Sequence, residues 1–322
     1  MEVVMAGDGR ALVRSIKRLV EDDFLCRPGV VGVDVGEKVV GGRGAGVLGI
    51  VVYVRHKRTS AQFTIPPDVL GVPTDVVEDV FHPHHTLASS GGVSGAERHD
   101  LLLGGIGMGP SRAVRLVPPD VARADDYLVA GTLGALVTPR AKRRTMALTA
   151  FHIACVDDAW AVGDPMVHPS RVDGGHPYRD RIGVLARAAL SGTVDAAAIL
   201  LTTPRSRPEV VGVGAITGRG EARVGQRVRK RGRTTALTEG VVASTDAAIT
   251  LDFGVGLGVR TLRDQIRVEG AFADHGDSGA VLLDDDNRVV GLYCGGSARR
   301  GFANPIANVL DQLDVDLLAV EA

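Results

Sequence analysis

From Asp100 onward the chain is a succession of short β-rich runs separated by turn clusters: "GTLGALV", "MALTAF", "AVGDPMV", "IGVLA", "DAAAILL", "VVGVGAI", "QRVRKRG", "GVVAS", "AITLDF", "GAVLLD" and "VVGLY". This spacing is that of an all-β barrel or sandwich. A length of 322 residues with 45% hydrophobic side chains suggests about two domains with real cores. The terminal stretch "PIANVLDQLDVDLL" has helix-like apolar spacing and is expected to pack back on this β-rich half.

The first eighty residues have a different texture. Leu12, Ile16, Leu19 and Val20 recur at helical spacing with Arg14, Lys17, Arg18 and Glu21 on other faces, so a helix is expected over about 9–25. "GVVGVDVGEKVV", "GVLGIVVYVRHK" and "VPTDVVEDV" then read as three strands. The polar stretch "HPHHTLASSGGVSGAERHD" has the Gly, Ser and His content of a surface linker. The expected organisation is a small α/β domain at 1–81, a linker at 82–99 and a mainly β domain at 100–322.

Charge and cysteine usage exclude more than they assign. The formal net charge of -1 gives no chain-wide attraction to nucleic acid or to anionic membrane. The charged first residues lack the unbroken apolar stretch of a secretory signal, and no later segment is long enough to span a bilayer. Cys26, Cys155 and Cys294 are too few for a disulfide framework, and reduced thiols fit the cytoplasm. Abundant Val, Ala, Gly and Arg with 4% aromatics suggest a GC-rich coding source.

One stretch carries chemistry. Ser278 lies in "FADHGDSGAVLLDDDNRVVGLY", and a serine hydroxyl is a poor nucleophile until an imidazole takes its proton and a third group orients that imidazole. His152 ends the apolar run "LTAFH", just before polar "VDDAW". Asp195 opens the apolar "DAAAILL", where a carboxylate is costly to bury unless something hydrogen-bonds to it. The chain order His, Asp, Ser is one known arrangement of such a triad. The order Ser, Asp, His and the Gly-x-Ser-x-Gly elbow of the α/β-hydrolases do not fit, since position 280 is Ala and no histidine follows Ser278. The residues after Ser278 read strand, turn, strand, which leaves a β-barrel hydrolase.

The chain resembles the trypsin-fold serine peptidases, most nearly the intracellular bacterial ones related to the plant narrow leaf protein. The matching stretches are "GVVGVDVGEK", "IPPDVLGVPTDVVE", "GTLGALV", "LTAFH", "GDPMVHPSRVDGG", "VDAAAILL", "KRGRTTALTEGVV", "GDSGAVL", "VVGLYCGGS" and "ANPI", in order from about Gly29 to Ile306. The resemblance implies a trypsin-like double Greek-key β-barrel, preceded by the small α/β domain. His152 and Asp195 would lie on the first barrel and Ser278 on the second. Ser278 would attack a peptide carbonyl while His152 takes its proton, and the backbone N–H groups of Gly276 and Ser278 would hold the oxyanion before an acyl-enzyme forms. Cys294, Gly295 and Gly296 would offer backbone to an extended substrate strand. The sequence departs from the family at His275, where Pro is usual, at Ala236, where Gly is usual, and around the histidine in "AFHIAC".

Other signals have plainer readings. "GAGVLG" satisfies the dinucleotide fingerprint by letter, but a strand follows it, so a hairpin turn is expected and no cofactor. "KVVGG" reads as strand and turn rather than an activation site, which leaves Asp277 with no identified partner. "RVRKRGRTT" is expected to be a solvated hairpin face; it lacks aromatics for base stacking, so nucleic acid is not an expected partner. His82, His84 and His85 lack the companions of a metal site, and no metal is expected. Two function classes follow: a serine endopeptidase acting on protein or peptide, its N-terminal domain serving docking, oligomerisation or inhibition, and a latent or self-cleaving scaffold cut around Ser94–Arg98.

Overall fold

The computed structural model describes residues 3–40, 43–57, 65–89, 97–119, 121–141, 144–203, 205–254 and 256–320. The protein is mainly β, and its strands close into two barrels. In the first, Ile106–Pro110 pairs with Asp125–Leu133, whose continuation Ala135–Pro139 pairs with Met146–Thr149; Asp195–Leu201, Arg181–Leu190 and Pro165–Val167 follow, and the last returns to Ile106–Pro110. In the second, Arg227–Gly232, Ala236–Asp252, Val259–Glu269, Arg300–Pro305, Arg288–Gly296 and Val281–Leu283 pair in that spatial order, and Arg229↔Leu283 closes the ring. Both barrels thus wind the same way: three strands pair consecutively and the other three return in reverse order, the Greek-key pattern. Buried alternating side chains such as Leu133, Leu136, Ile199, Leu262 and Phe302 fill the space between.

The N-terminal helix runs Val3–Leu25 and buries Val13, Ile16 and Phe24 against Val33, Val35, Ile50 and Val52 of the hairpin Val30–Val40/Arg43–Val54. Leu12 and Leu19, expected on the buried face, are exposed, because the hairpin selects the neighbouring stripe. Val72–Glu78 adds to this hairpin in parallel. The "GAGVLG" letters, expected to be a turn, lie inside the strand Arg43–Val54, while Gly41 and Gly42 of "KVVGG" fall outside the described residues. The terminal stretch is the helix Ile306–Gln312 followed by a strand, Val315–Leu317, which joins the first barrel.

The N-terminal strands continue the sheet of the second barrel, through Gly32↔Ile249 and Val33↔Ala248. A buried ion pair clamps this junction: Arg267 donates from Nε to Asp34, which also accepts from Ser244 Oγ and from the Val35 N–H. Removing one partner of such a buried pair costs about 3–5 kcal/mol, and the second ion pair of Arg267, with exposed Glu269, puts the loss of Asp34 at the lower end. Asp34→Ala should therefore lower the thermal midpoint markedly by calorimetry; a change below about 1 kcal/mol, the scale of a surface pair, would show that the clamp contributes little.

Candidate active site

The strand Met146–Thr149 runs into a one-turn helix, Phe151–Ala154, all four of whose residues are buried. That turn places His152 beside Asp195, the first residue of its strand and fully buried. Asp195 Oδ2 lies 2.6 Å from His152 Nδ1, and Oδ1 accepts from the His152 backbone N–H at 3.1 Å. Both carboxylate oxygens thus have donors, which is how a carboxylate survives at the edge of an apolar strand. The Asp195 N–H in turn donates to Asn304 Oδ1 on the second barrel. A carboxylate at Nδ1 fixes the proton there and leaves Nε2 as the basic nitrogen. Among the described residues, His152 Nε2 is buried with no hydrogen-bond partner. Asn304 has no catalytic-type spacing to either partner in sequence, and only the tertiary fold reveals it.

Ser278 sits on the other barrel, also fully buried. Its neighbour Gly279 lies against Thr149 and Ala150, the residues that lead into the helical turn of His152. The Thr132 N–H donates to the Ser278 carbonyl at 2.8 Å and Thr132 Oγ1 donates to the Gly276 carbonyl at 2.9 Å, which lock the serine loop to the first barrel. The serine hydroxyl donates to the Cys294 carbonyl at 3.1 Å and accepts from the His84 N–H at 3.1 Å, where the sequence led us to expect a bond to His152. Burial raises the Cys294 thiol well above its ordinary range, so it stays protonated.

The N–H groups of Gly276 and Ser278 converge on one acceptor, the His84 carbonyl, at 2.7 and 3.3 Å. Gly276 adopts φ 104°, a conformation that favours glycine, and a Cβ there would fall 2.2 Å from Thr234 Oγ1. Gly276→Ala is therefore expected to turn the N–H away and to lower reaction of Ser278 by about 10²–10³-fold, the cost of losing one such donor. The comparison is the rate of serine labelling with and without Gly276→Ala in folded protein whose His82–Ser89 strand is displaced by substitution, and equal rates would refute the role of this N–H pair.

Asp277, left without a partner by the sequence, has several. Its carboxylate accepts from the N–H groups of Asp274, Thr234 and Thr235 at 3.0, 2.9 and 3.2 Å, from Thr235 Oγ1 at 2.6 Å, and from Lys230 Nζ at 3.1 Å. Burial opposes the charge on Asp277, but Lys230 and these donors outweigh it and hold the carboxyl below its usual range. Lys230 lies in the run expected to be solvated. The alternation of the strand Arg227–Gly232 instead turns Val228, Lys230 and Gly232 inward while Arg227, Arg229 and Arg231 are more exposed.

The stretch expected as a surface linker begins inside the cleft. His82–Pro83 pairs antiparallel with Gly296 and Gly295, and Thr86–Ser89 pairs antiparallel with Ala130–Tyr127. These two pairings satisfy backbone groups on the strand edges that flank Ser278. A Cβ at position 295 would fall 2.3 Å from the His82 carbonyl, so glycine is what lets the two backbones approach. Residues 90–96 of the stretch, including most of the expected cut region, fall outside the described residues; Arg98 beyond them forms a bidentate pair with Asp180. His275 Nδ1 lies 3.1 Å from the His85 carbonyl. Among the described residues no group of three His, Cys, Asp or Glu side chains could hold a metal ion.

Burial, and then neighbouring His275, push the His84 imidazole down to about 4 against the pull of Asp274 and Asp277; burial, His152 and His275 push His85 down to about 3. An undocked segment would take up protons near the ordinary histidine value of about 6.5. Docking is thus fully favoured above about pH 6.5 and is lost as pH falls towards 4, so amide protection at 82–89 should drop roughly tenfold or more between pH 7 and 5. Protection factors from hydrogen exchange that stay level across this range would contradict the neutral, buried state of both rings.

Comparison with known proteins gives similarity at the level of solved structures. No protein-family model and no curated protein sequence matches the chain. Thermobifida fusca Protease A is 21% identical, covers 68% of this chain and 100% of its own, and superposes with a TM-score of 0.49. Nocardiopsis protease is 19% identical over 67% of this chain and 97% of its own, with a TM-score of 0.48. Cellulomonas bogoriensis chymotrypsin is 21% identical over 68% and 98%, with a TM-score of 0.46.

Proposed function

We propose that the protein is a serine endopeptidase in which Ser278 is the nucleophile, His152 the general base and Asp195 the group that orients it. The observation that carries this reading is the buried Asp195–His152 pair, which leaves Nε2 free at a cleft whose opposite wall presents Ser278 and two converging N–H groups. In the reaction the Ser278 hydroxyl turns from the Cys294 carbonyl to His152 Nε2 and gives it the proton as Oγ attacks a peptide carbonyl. The tetrahedral oxyanion takes the place now held by the His84 carbonyl, between the Gly276 and Ser278 N–H groups. The imidazolium, stabilised by Asp195, then protonates the leaving amine, and water repeats the sequence on the acyl-enzyme. Cys294, Gly295 and Gly296 bind the substrate strand through backbone, the two glycines as they pair with Pro83 and His82.

The ordered run of matching stretches from "GVVGVDVGEK" to "ANPI" supports placing the chain beside the intracellular bacterial peptidases related to the narrow leaf protein. A cytoplasmic setting is supported by the sparse cysteines; among the described residues no helix is long and apolar enough to cross a membrane. Exposed Leu12 and Leu19 on the outer face of the N-terminal helix support a docking or oligomerisation role for that region. Covalent labelling of Ser278 by a fluorophosphonate, with the His82–Ser89 strand displaced by substitution, tests the catalytic reading, and a folded protein that does not react in that form would refute it.

A further inference from the structure

We infer that His82–Ser89 is an internal pseudosubstrate: the chain's own strand fills the cleft on both sides of Ser278, presents the His84–His85 bond to it uncut, and shows that the primary pocket selects a neutral imidazole. The inference deepens the peptidase reading and rests on it for the word substrate, whereas occupancy of the cleft stands on geometry alone. Three features coincide. The His84 carbonyl occupies the paired N–H site of Gly276 and Ser278, where the carbonyl of a bond under attack belongs. The residues before it pair antiparallel with Gly295 and Gly296, and the residues after it pair antiparallel with Ala130–Tyr127, so the backbone is gripped on both sides of one peptide bond. The His84 side chain enters a pocket where its Nδ1 lies 2.9 Å from the Tyr293 hydroxyl and its ring packs 4.8 Å from that of His275.

The chemistry of that pocket is selective. Burial keeps the Tyr293 phenol protonated, and its buried hydroxyl needs a hydrogen-bond partner, which His84 Nδ1 supplies, the tautomer of the ring deciding which of the two donates. A neutral imidazole meets this requirement; an aliphatic side chain leaves the buried hydroxyl without a partner, and a lysine brings a charge that must be desolvated in a buried site. Tyr293 is on this account the residue that determines specificity, and the preferred external peptides carry histidine immediately before the cut.

The covering strand escapes cleavage because its own His84 N–H donates to Ser278 Oγ and holds the hydroxyl in the rotamer that donates to the Cys294 carbonyl, so the turn towards His152 is blocked while the strand is docked. Being part of the same chain, the strand competes at the effective concentration of a tethered ligand, about millimolar for a short link. Peptides present at micromolar levels are therefore excluded until the strand is displaced.

The test uses full-length protein carrying Ser278→Ala, with the native segment or with His84→Asp and His85→Asp, and a fluorescent peptide of sequence HPHHTLAS. Near-ultraviolet circular dichroism checks the fold, and a His84→Gly, His85→Gly pair serves if the charged pair fails to fold. Fluorescence anisotropy should give at least tenfold tighter binding to the altered protein, and at least tenfold weaker binding of a peptide with Leu in place of its second histidine. Equal binding to both proteins, or no binding to a folded altered protein, would overturn the inference. With Ser278 present, the altered segment should also raise the fluorophosphonate labelling rate at least tenfold, and equal rates in both forms would likewise overturn it. Peptide binding as expected with no labelling in either form would leave the pseudosubstrate standing and remove the catalytic reading.

Discussion

Asp195→Asn is expected to slow reaction of Ser278 by about 10⁴-fold, the cost measured for the equivalent change in triads of this order. Asp195 accepts from both His152 Nδ1 and the His152 backbone N–H. An amide at 195 still accepts through its oxygen at one of these positions, but it offers an N–H₂ at the other. The outcome is a histidine whose Nδ1 accepts and whose Nε2 carries the proton, so the nitrogen that faces the cleft is no longer basic. The fold is expected to persist because the amide keeps the shape of the carboxylate. The comparison is made in the background with the altered His82–Ser89 segment, where the serine is accessible. A decrease of less than about tenfold, far below the loss expected for a working triad, would show that Asp195 does not orient the base.

Lys230→Met should have the other large effect, and it separates positioning from chemistry. Lys230 and Asp277 are both fully buried side by side. Removing the ammonium leaves the Asp277 carboxylate uncompensated, at a cost of about 3–5 kcal/mol, or roughly 10 °C in the thermal midpoint for a domain of this size. Because Asp277 lies between the two N–H donors at Gly276 and Ser278, its displacement should also lower the labelling rate by about 10²-fold or more. Adding Asp277→Asn removes the stranded charge, so the double variant should recover much of the stability but little of the labelling rate. Recovery of both together would mean that the pair serves folding only. Undiminished labelling of folded Lys230→Met in the same segment-altered background would show that the loop is ordered without it.

Part of this arrangement was legible in the sequence. Alternating short runs announced the barrels, and a carboxylate opening "DAAAILL" announced a buried partner, because such a group needs donors to be tolerated. The strand–turn–strand reading after Ser278 agrees with the hairpin Val281–Leu283/Arg288–Gly296. Lys230 was illegible because burial of a cation depends on a counter-charge, and Asp277 lies 47 positions further along the chain. His82–Ser89 was illegible for a different reason. Its place is set by backbone pairing to two strand edges, and backbone hydrogen bonds carry no compositional signature. The repeated winding of the barrels likewise left no repeat in the sequence, since one topology accepts many sets of inward apolar residues.

The most direct measurement is the intact mass, followed by peptide mapping, of the segment-altered protein after fluorophosphonate treatment, beside the same protein carrying Ser278→Ala. One adduct per chain, mapped to Ser278 and absent from the alanine variant, is the expected result. An adduct that persists in Ser278→Ala, or none on a folded protein with an open cleft, would contradict the assignment of Ser278 as the activated nucleophile.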